Sequence, residues 1–206
     1  MSPRKYDTSH RREATEATRG QILEAARQLL GVPGDLRDFS VDAIATKAGV
    51  ARMTVYYQFH SRAQLLDALS DHLAERGGMH RMPEVFMESD PRRALDRLVT
   101  TFVAFWSSDR VAMRRLRALG VVAPGLWGRS RARDAWRREA VTHLLAKFDR
   151  GTRGGSRSAR EAEVDLITVL ASFETFDALC TGERSVEDIA RLLVDAALTL
   201  LGRNSR

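Results

Sequence analysis

The sequence predicts an all-α protein of two helical domains, and three observations carry that expectation. Across its 206 residues, apolar side chains recur at spacings of three and four, the period of one helix face. No segment alternates apolar and polar residues with the period of two that a half-buried strand needs. Breaks such as Gly31-Val-Pro-Gly34 and Gly77-Gly78 fall between the periodic runs, where the chain must turn.

Residues 1–17 are polar and include Arg4, Lys5, Arg11 and Arg12; they are expected to form a mobile basic arm. A first helix is expected from about Thr18 to Leu30, with Ile22, Leu23, Ala26, Leu29 and Leu30 inward. Between Phe39 and Phe59 lie two short helices joined by a tight turn. Ser40 is placed to cap the first, its hydroxyl accepting from an orphan N–H, and Asp42 suits the positive helix end. Val41, Ile44, Ala45 and Ala48 make its apolar stripe, and Gly49 permits the left-handed residue that ends it. The second helix begins at Arg52, with Val55 and Tyr56 inward and Arg52, Met53 and Tyr57 facing elsewhere. Two helices crossing at a glycine turn make a helix-turn-helix, whose second helix fits a DNA major groove. Residues 43–66 hold Lys47, Arg52 and Arg62 and no acid.

Ser61 is placed to cap a fourth helix running through Leu65, Leu66, Leu69 and Leu73. Gly77-Gly78 then divides a helix-turn-helix domain, 18–76, from a second domain, 77–206. The second domain reads as a loop from Met79 to Pro91, then a helix to about Trp106 with Ala94, Leu95, Leu98, Phe102 and Phe105 in register. A helix capped by Ser108 and Asp109 runs through Leu119. A loop from Gly120 to Gly128, a helix from about Arg131 to Phe148 and a Gly/Arg/Ser linker from Gly151 to Ser158 follow. Two terminal helices, Glu161 to Cys180 and Ser185 to Leu201, close the chain.

Those two helices carry apolar residues on more than one stripe, more than a monomer's surface helix needs. Paired with the same helices of a second copy, they would build a two-fold four-helix interface. The candidate interface residues are Val169, Phe173, Phe176, Leu193, Val194 and Leu198. A monomer with deeply buried terminal helices is the other reading.

Residues 19–69 resemble the DNA-binding domain of TetR-family transcriptional repressors. The likeness rests on five ordered blocks: Gly20-Gln-Ile-Leu-Glu-Ala-Ala-Arg-Gln-Leu-Leu-Gly31, Phe39-Ser-Val-Asp-Ala-Ile-Ala, Ala48-Gly-Val, Val55-Tyr-Tyr-Gln-Phe and Ser61-Arg-Ala-Gln-Leu-Leu66. Two positions depart from the pattern, with Ala51 where a capping Ser is common and Met53 where a small residue is common. The resemblance implies a homodimeric repressor that reads a palindromic operator, with half-sites ~34–36 Å or somewhat more apart. It implies that Arg52 and Met53 face base edges, Arg52 toward a guanine and Met53 offering only apolar contact, for instance to a thymine methyl. Thr54, Tyr56, Tyr57 and Gln58 would mix backbone and base contact, Arg62 would meet a phosphate, and Thr46 and Lys47 would lie near the backbone. It implies a C-terminal domain for ligand binding and dimerisation, from which a small-molecule effector releases the DNA. Candidate lining is Phe102, Trp106, Met113, Arg117, Trp127, Trp136, His143, Phe148 and Phe173, and the tryptophans with nearby arginines suggest an aromatic or anionic effector. A regulator without a small ligand, controlled by a protein partner, and an activator are the alternatives.

Composition fits such a protein. Hydrophobic residues are 44% and charged residues 29%, a globular balance. No apolar run approaches the ~20 residues of a membrane span, and the polar N-terminus predicts no signal peptide. Cys180 is the one cysteine, which forbids an intrachain disulfide, fits a reducing cytoplasm, and reads as a small buried hydrophobe. There is no phosphate loop or nucleophile elbow, and His10, His60, His72, His80 and His143 lack metal spacing. No enzyme activity, cofactor or metal is expected. Within a net charge of +6, residues 108–160 hold fourteen Arg and Lys against four acids, while 161–206 is acidic. The basic block reads as a solvated face, a wall for an anionic partner, or a second nucleic-acid surface.

Overall fold

The computed structural model describes residues 8–122, 130–148 and 157–202. Among them lie eleven α-helices, two short 3₁₀ turns and no strand. The helices are α1 (Thr8–Gly31), α2 (Val41–Ala48), α3 (Arg52–Phe59), α4 (Arg62–Arg76), α5 (Met82–Met87), α6 (Pro91–Ser108), α7 (Arg110–Val122), α8 (Ser130–Phe148), α9 (Arg157–Leu170), α10 (Phe173–Leu179) and α11 (Val186–Gly202). They fall into two compact units. The first holds α1 to α3, α4 as far as His72, and α7 from Val111; the second holds the rest of α4, α5, α6 and α8 to α11.

In the first unit α1 packs against α2, and α2 against α3. Ile22, Ala26, Leu30, Ile44, Val55, Phe59, Leu65, Leu66 and Leu69 are buried in its core, joined by Leu116 of α7. The local signals act as their chemistry requires. Ser40 accepts from the Ala43 amide at 3.1 Å, and Ser61 accepts from the Gln64 amide at 3.1 Å. Gly49 ends α2 at φ 66°, its amide bonding back to Ala45 and Thr46, a conformation any Cβ would strain. Ala51, lacking a capping oxygen, gives α3 no side-chain cap. His60 closes α3 at φ 57°.

Helix α1 begins at Thr8, ahead of the expected start near Thr18. Residues 10–17 are exposed throughout, so no apolar period marks them. Thr15 and Thr18 bond back to the carbonyls of Arg11 and Ala14, each at 2.8 Å, and His10 lies 3.6 Å from Glu13.

The second unit is built on α6, which packs against α5, α8, α10 and α11. Asp90 caps it, accepting from the Arg93 amide at 2.9 Å. Its buried face includes Leu95, Leu98, Val99, Phe102 and Trp106. Two segments differ from expectation. Met79 to Pro91 is not a loop, because a 3₁₀ turn (Met79–Arg81) leads into α5, which buries Met82 and Val85 and starts with a proline in its first turn. The stretch from Glu161 to Cys180 is not one helix, because α9 stops at Leu170 and Ser172 caps α10, accepting from Thr175 at 3.2 Å. At this break the Trp106 indole donates to Ala171 O at 3.0 Å. Cys180, at the end of α10, is half-buried rather than fully inside.

Arginines of the basic block are held within these units. Arg110 pairs with Asp177 at 2.6 Å, Arg138 with Asp165 at 2.7 Å, Arg137 with Asp134 at 3.0 Å and Arg160 with Glu163 at 2.8 Å. In the first unit, Arg115 donates to Gly34 O at 2.6 Å. Such pairs answer the local excess of positive charge from inside the fold. Among the described residues, no helix is long and apolar enough to cross a membrane.

Candidate nucleic-acid interface

Helix α3 shows where the first unit can meet a partner. Val55 and Phe59 are buried and anchor it, while Met53 and Tyr57 are 55% and 76% exposed. Large apolar side chains left in solvent on a short helix leave contact surface available. Arg52 is also exposed, Thr54 and Tyr56 are half-buried, and Thr46 and Lys47 are exposed at the end of α2. The expected contact set therefore divides between an exposed group and side chains that also hold the head together.

Gln58 and Arg62 belong to the second kind. Gln58 is half-buried, and its amide nitrogen lies 3.4 Å from Thr15 O. Arg62 is half-buried and donates to Phe39 O at 3.0 Å, tying the start of α4 to the entry of α2. Sequence reasoning missed Arg19, whose guanidinium sits 4.4 Å from the Phe59 ring centroid and donates to Gln58 O at 3.0 Å. It thus fastens α1 to the end of α3. Nothing in its spacing marks it, since an arginine following a polar stretch reads as solvated.

Asp42 has a second role besides favouring the helix end. Arg52 donates from Nη1 to both its carboxylate oxygens, at 3.0 and 2.9 Å. The hydrogen bond to Tyr56, then the nearby Asp42 charge, raise the Arg52 pKa above its ordinary value. The guanidinium, charged at any physiological pH, is a donor suited to phosphate or a guanine edge. Among the described residues, no group of three His, Cys, Asp or Glu is gathered for a metal ion.

The sequence model for bacterial regulatory proteins of the tetR family matches residues 22–69, which include α2, α3 and the core of this head. Residues 22–69 thus carry a DNA-binding head of the TetR family. Among curated TetR-family relatives, the HTH-type transcriptional regulator TtgR of Pseudomonas putida is 36% identical over 89 residues, 43% of this chain and 42% of TtgR. The match thus spans less than half the length of that relative. The TetR-like transcriptional regulator of Rhodococcus sp. RHA1 shares the fold with a TM-score of 0.63 and 23% identity, over 90% of this chain and 96% of that one. The multidrug binding protein EbrR, solved with imidazole, shares it with a TM-score of 0.52 and 19% identity, over 95% and 96% of the two chains.

The residues expected to line the TetR-type effector cavity are scattered. Phe102, Trp106 and Phe173 are buried together, with ring centroids 6.0 Å apart for Phe102 and Trp106 and 5.6 Å for Trp106 and Phe173. Trp136 joins them at 6.5 Å from Phe102 and is 42% exposed. His143 lies apart, edge-on to Phe86 at 5.4 Å. Phe148 is half-buried in the second unit, whereas Met113 and Arg117 belong to the first. Trp127 lies outside the described residues. A cleft of about 250 Å³ in the second unit, bordered by Gly77, Arg81, Glu84, Arg97 and Thr101, includes none of the expected residues.

The expected dimer residues divide by burial. Phe173, Phe176, Leu193 and Val194 are buried within the single chain, because α6 packs against both α10 and α11 and takes up those faces. Val169 is 59% exposed and Leu198 half-buried. Other large apolar side chains left in solvent on these helices are Leu166 on α9 and Val186 and Leu192 on α11. A period count finds the stripes of such helices without saying which one the subunit's own core takes.

Proposed function

We propose that this chain is a DNA-binding transcriptional repressor of the TetR type, working as a homodimer on a palindromic operator and released by a small-molecule effector. The observation that carries the reading is the exposed face of α3, where Arg52, Met53 and Tyr57 stand in solvent on a helix anchored by Val55 and Phe59. Arg52 and Met53 meet base edges in the major groove, while Lys47 and Thr46 meet the backbone. Tyr57 adds contact area, and Thr54 and the Tyr56 hydroxyl add polar contacts beside it. Arg62 and Gln58 set the attitude of the helix and contribute their remaining donors to phosphate.

Dimerisation uses the exposed stripe of Leu166 and Val169 on α9 and Leu192 on α11, apolar surface that the single chain leaves for a second copy. The effector acts on the second unit beside Trp136, the exposed member of the aromatic cluster, and is itself aromatic or anionic. Binding favours a form in which the paired heads no longer fit their half-sites, so the population leaves DNA. Helix α4, which has residues in both units, is the element through which that shift passes. The work is binding rather than chemistry, and the site asks for no cofactor.

Selection of bound sequences from a randomised double-stranded DNA pool tests this directly. Recovery of an imperfect palindrome is the expected result. Tryptophan fluorescence, titrated with aromatic acids and cations, tests the effector: quenching that also releases the DNA supports it. A protein that enriches no sequence is not this repressor.

A further inference from the structure

Arg52 is held by two neighbours in the free protein, Asp42 and Tyr56. Besides the two bonds from Nη1 to Asp42, Nη2 lies 3.4 Å from the Tyr56 hydroxyl. The guanidinium carbon is 5.6 Å from the Tyr56 ring centroid. The side chains of Arg52 and Asp42 are 57% and 61% exposed, and an ion pair in that much water adds little to stability. Holding the fold is therefore a poor explanation for the arrangement. Its geometry has another consequence. With Nη1 on the carboxylate, the Nε–Nη2 edge carries the guanidinium's other pair of parallel N–H groups, and the long 3.4 Å approach to the Tyr56 hydroxyl leaves Nη2 readily exchanged for another acceptor. Two parallel donors match the O6 and N7 acceptors of guanine. An arginine already fixed by neighbours also loses less conformational freedom when it docks.

We propose that Asp42 is the positioning residue of the recognition helix: it holds Nη1 of Arg52 so that the Nε–Nη2 edge is presented to one guanine in each half-site. This rests on the DNA-reading function proposed above. Asp42 also offsets the Arg52 charge, which weakens attraction to phosphates of any sequence and so widens the gap between the right site and the wrong ones. Asp42 is thus a determinant of specificity that need not itself touch DNA.

The test uses the full chain and the palindrome selected from a randomised DNA pool, together with its single-base-pair variants. Asp42→Asn should lower discrimination about tenfold at one base pair, the same one that Arg52→Ala relaxes, and leave the others unchanged. The double variant should lose no more there than Arg52→Ala alone, and Asp42→Glu, which keeps the carboxylate, should retain part of the discrimination. Circular dichroism of each variant checks that the head remains folded. In the DNA-free protein, the Nε–H resonance of Arg52 should be distinct in the wild type and merge with solvent-averaged arginines in Asp42→Asn. If Asp42→Asn shifts the affinity of every sequence by one factor, with base preferences intact, Asp42 is only a charge at a helix end and the proposal fails. An Arg52 resonance already averaged in the wild type overturns it too while leaving DNA reading intact. A wild type that selects no sequence overturns both.

Discussion

The indole Nε1 of Trp106 donates to the carbonyl of Ala171 at 3.0 Å, at the residue that follows the end of α9. Trp106 is 5% exposed and Ala171 2%, so the bond satisfies a carbonyl that water does not reach. Trp106→Phe keeps an aromatic ring but leaves that oxygen unpaired and a small void beside it. Such a loss costs roughly 1–3 kcal/mol, and urea unfolding followed by helicity should show it. An unchanged midpoint would mean that the carbonyl finds another donor.

Two glycines should respond in opposite directions to the same change. A Cβ on Gly77 would lie 2.5 Å from Phe105 Cδ2 and 2.9 Å from its Cα. Because one of those atoms is backbone, Gly77→Ala should destabilise the second unit by about 1–3 kcal/mol. Gly20 lies inside α1 with nothing within 4 Å of its would-be Cβ. Gly20→Ala should therefore stabilise by about 0.5–1 kcal/mol, as a glycine in a helix interior gives way to the best helix former. Thermal melts of the two variants check the pair of signs.

Much of the head is legible in the sequence, because its signals are local. Ser40, Gly49 and Ser61 act through bonds to residues one turn away, so their types and spacing suffice. What escapes depends on contacts between distant residues. Arg19 reaches Phe59 and Gln58 across some forty positions, and Trp106 meets Ala171 across sixty-five. The same reason separates Leu193, which α11 buries, from Leu192, its exposed neighbour. Periodicity gives each helix an inside without saying which of two apolar stripes it is.

Burial also makes the dimer testable by a contrast. Leu166→Glu or Val169→Glu places a carboxylate on a surface already exposed in the single chain and should yield a folded monomer. Leu193→Glu places it at a site 2% exposed, where an unpaired charge costs several kcal/mol, and should reduce helicity. Light scattering and circular dichroism separate the two outcomes. A wild type that is monomeric at micromolar concentration would remove the paired heads from the mechanism.

The start of α11 should weaken at low pH. Asp188 has its pKa lowered from the ordinary 3.8, first by a hydrogen bond from the Ser185 side chain and then by Arg191. A depressed folded-state pKa contributes stability that is fully present above the unfolded value and lost as pH falls through the folded one. The stability difference between wild type and Asp188→Asn should therefore be present at neutral pH and close on the acid side, below the ordinary carboxylate range. The Asp188 side chain is about half exposed, so solvent screens the effect, which is small and needs paired unfolding curves. A difference that persists undiminished in acid would mean that the carboxylate's charge is not its cause.

The most direct test of DNA reading is an equilibrium titration of the wild-type chain with the selected palindrome and with its scrambled version, by fluorescence anisotropy at one fixed salt concentration. Specific recognition through the α3 face predicts a preference for the palindrome of about a thousandfold or more. Repeating the titration at several salt concentrations should give a slope set by the number of phosphate contacts. Equal affinity for the two sequences at every salt concentration would contradict sequence reading and leave only the attraction of a basic protein for a polyanion.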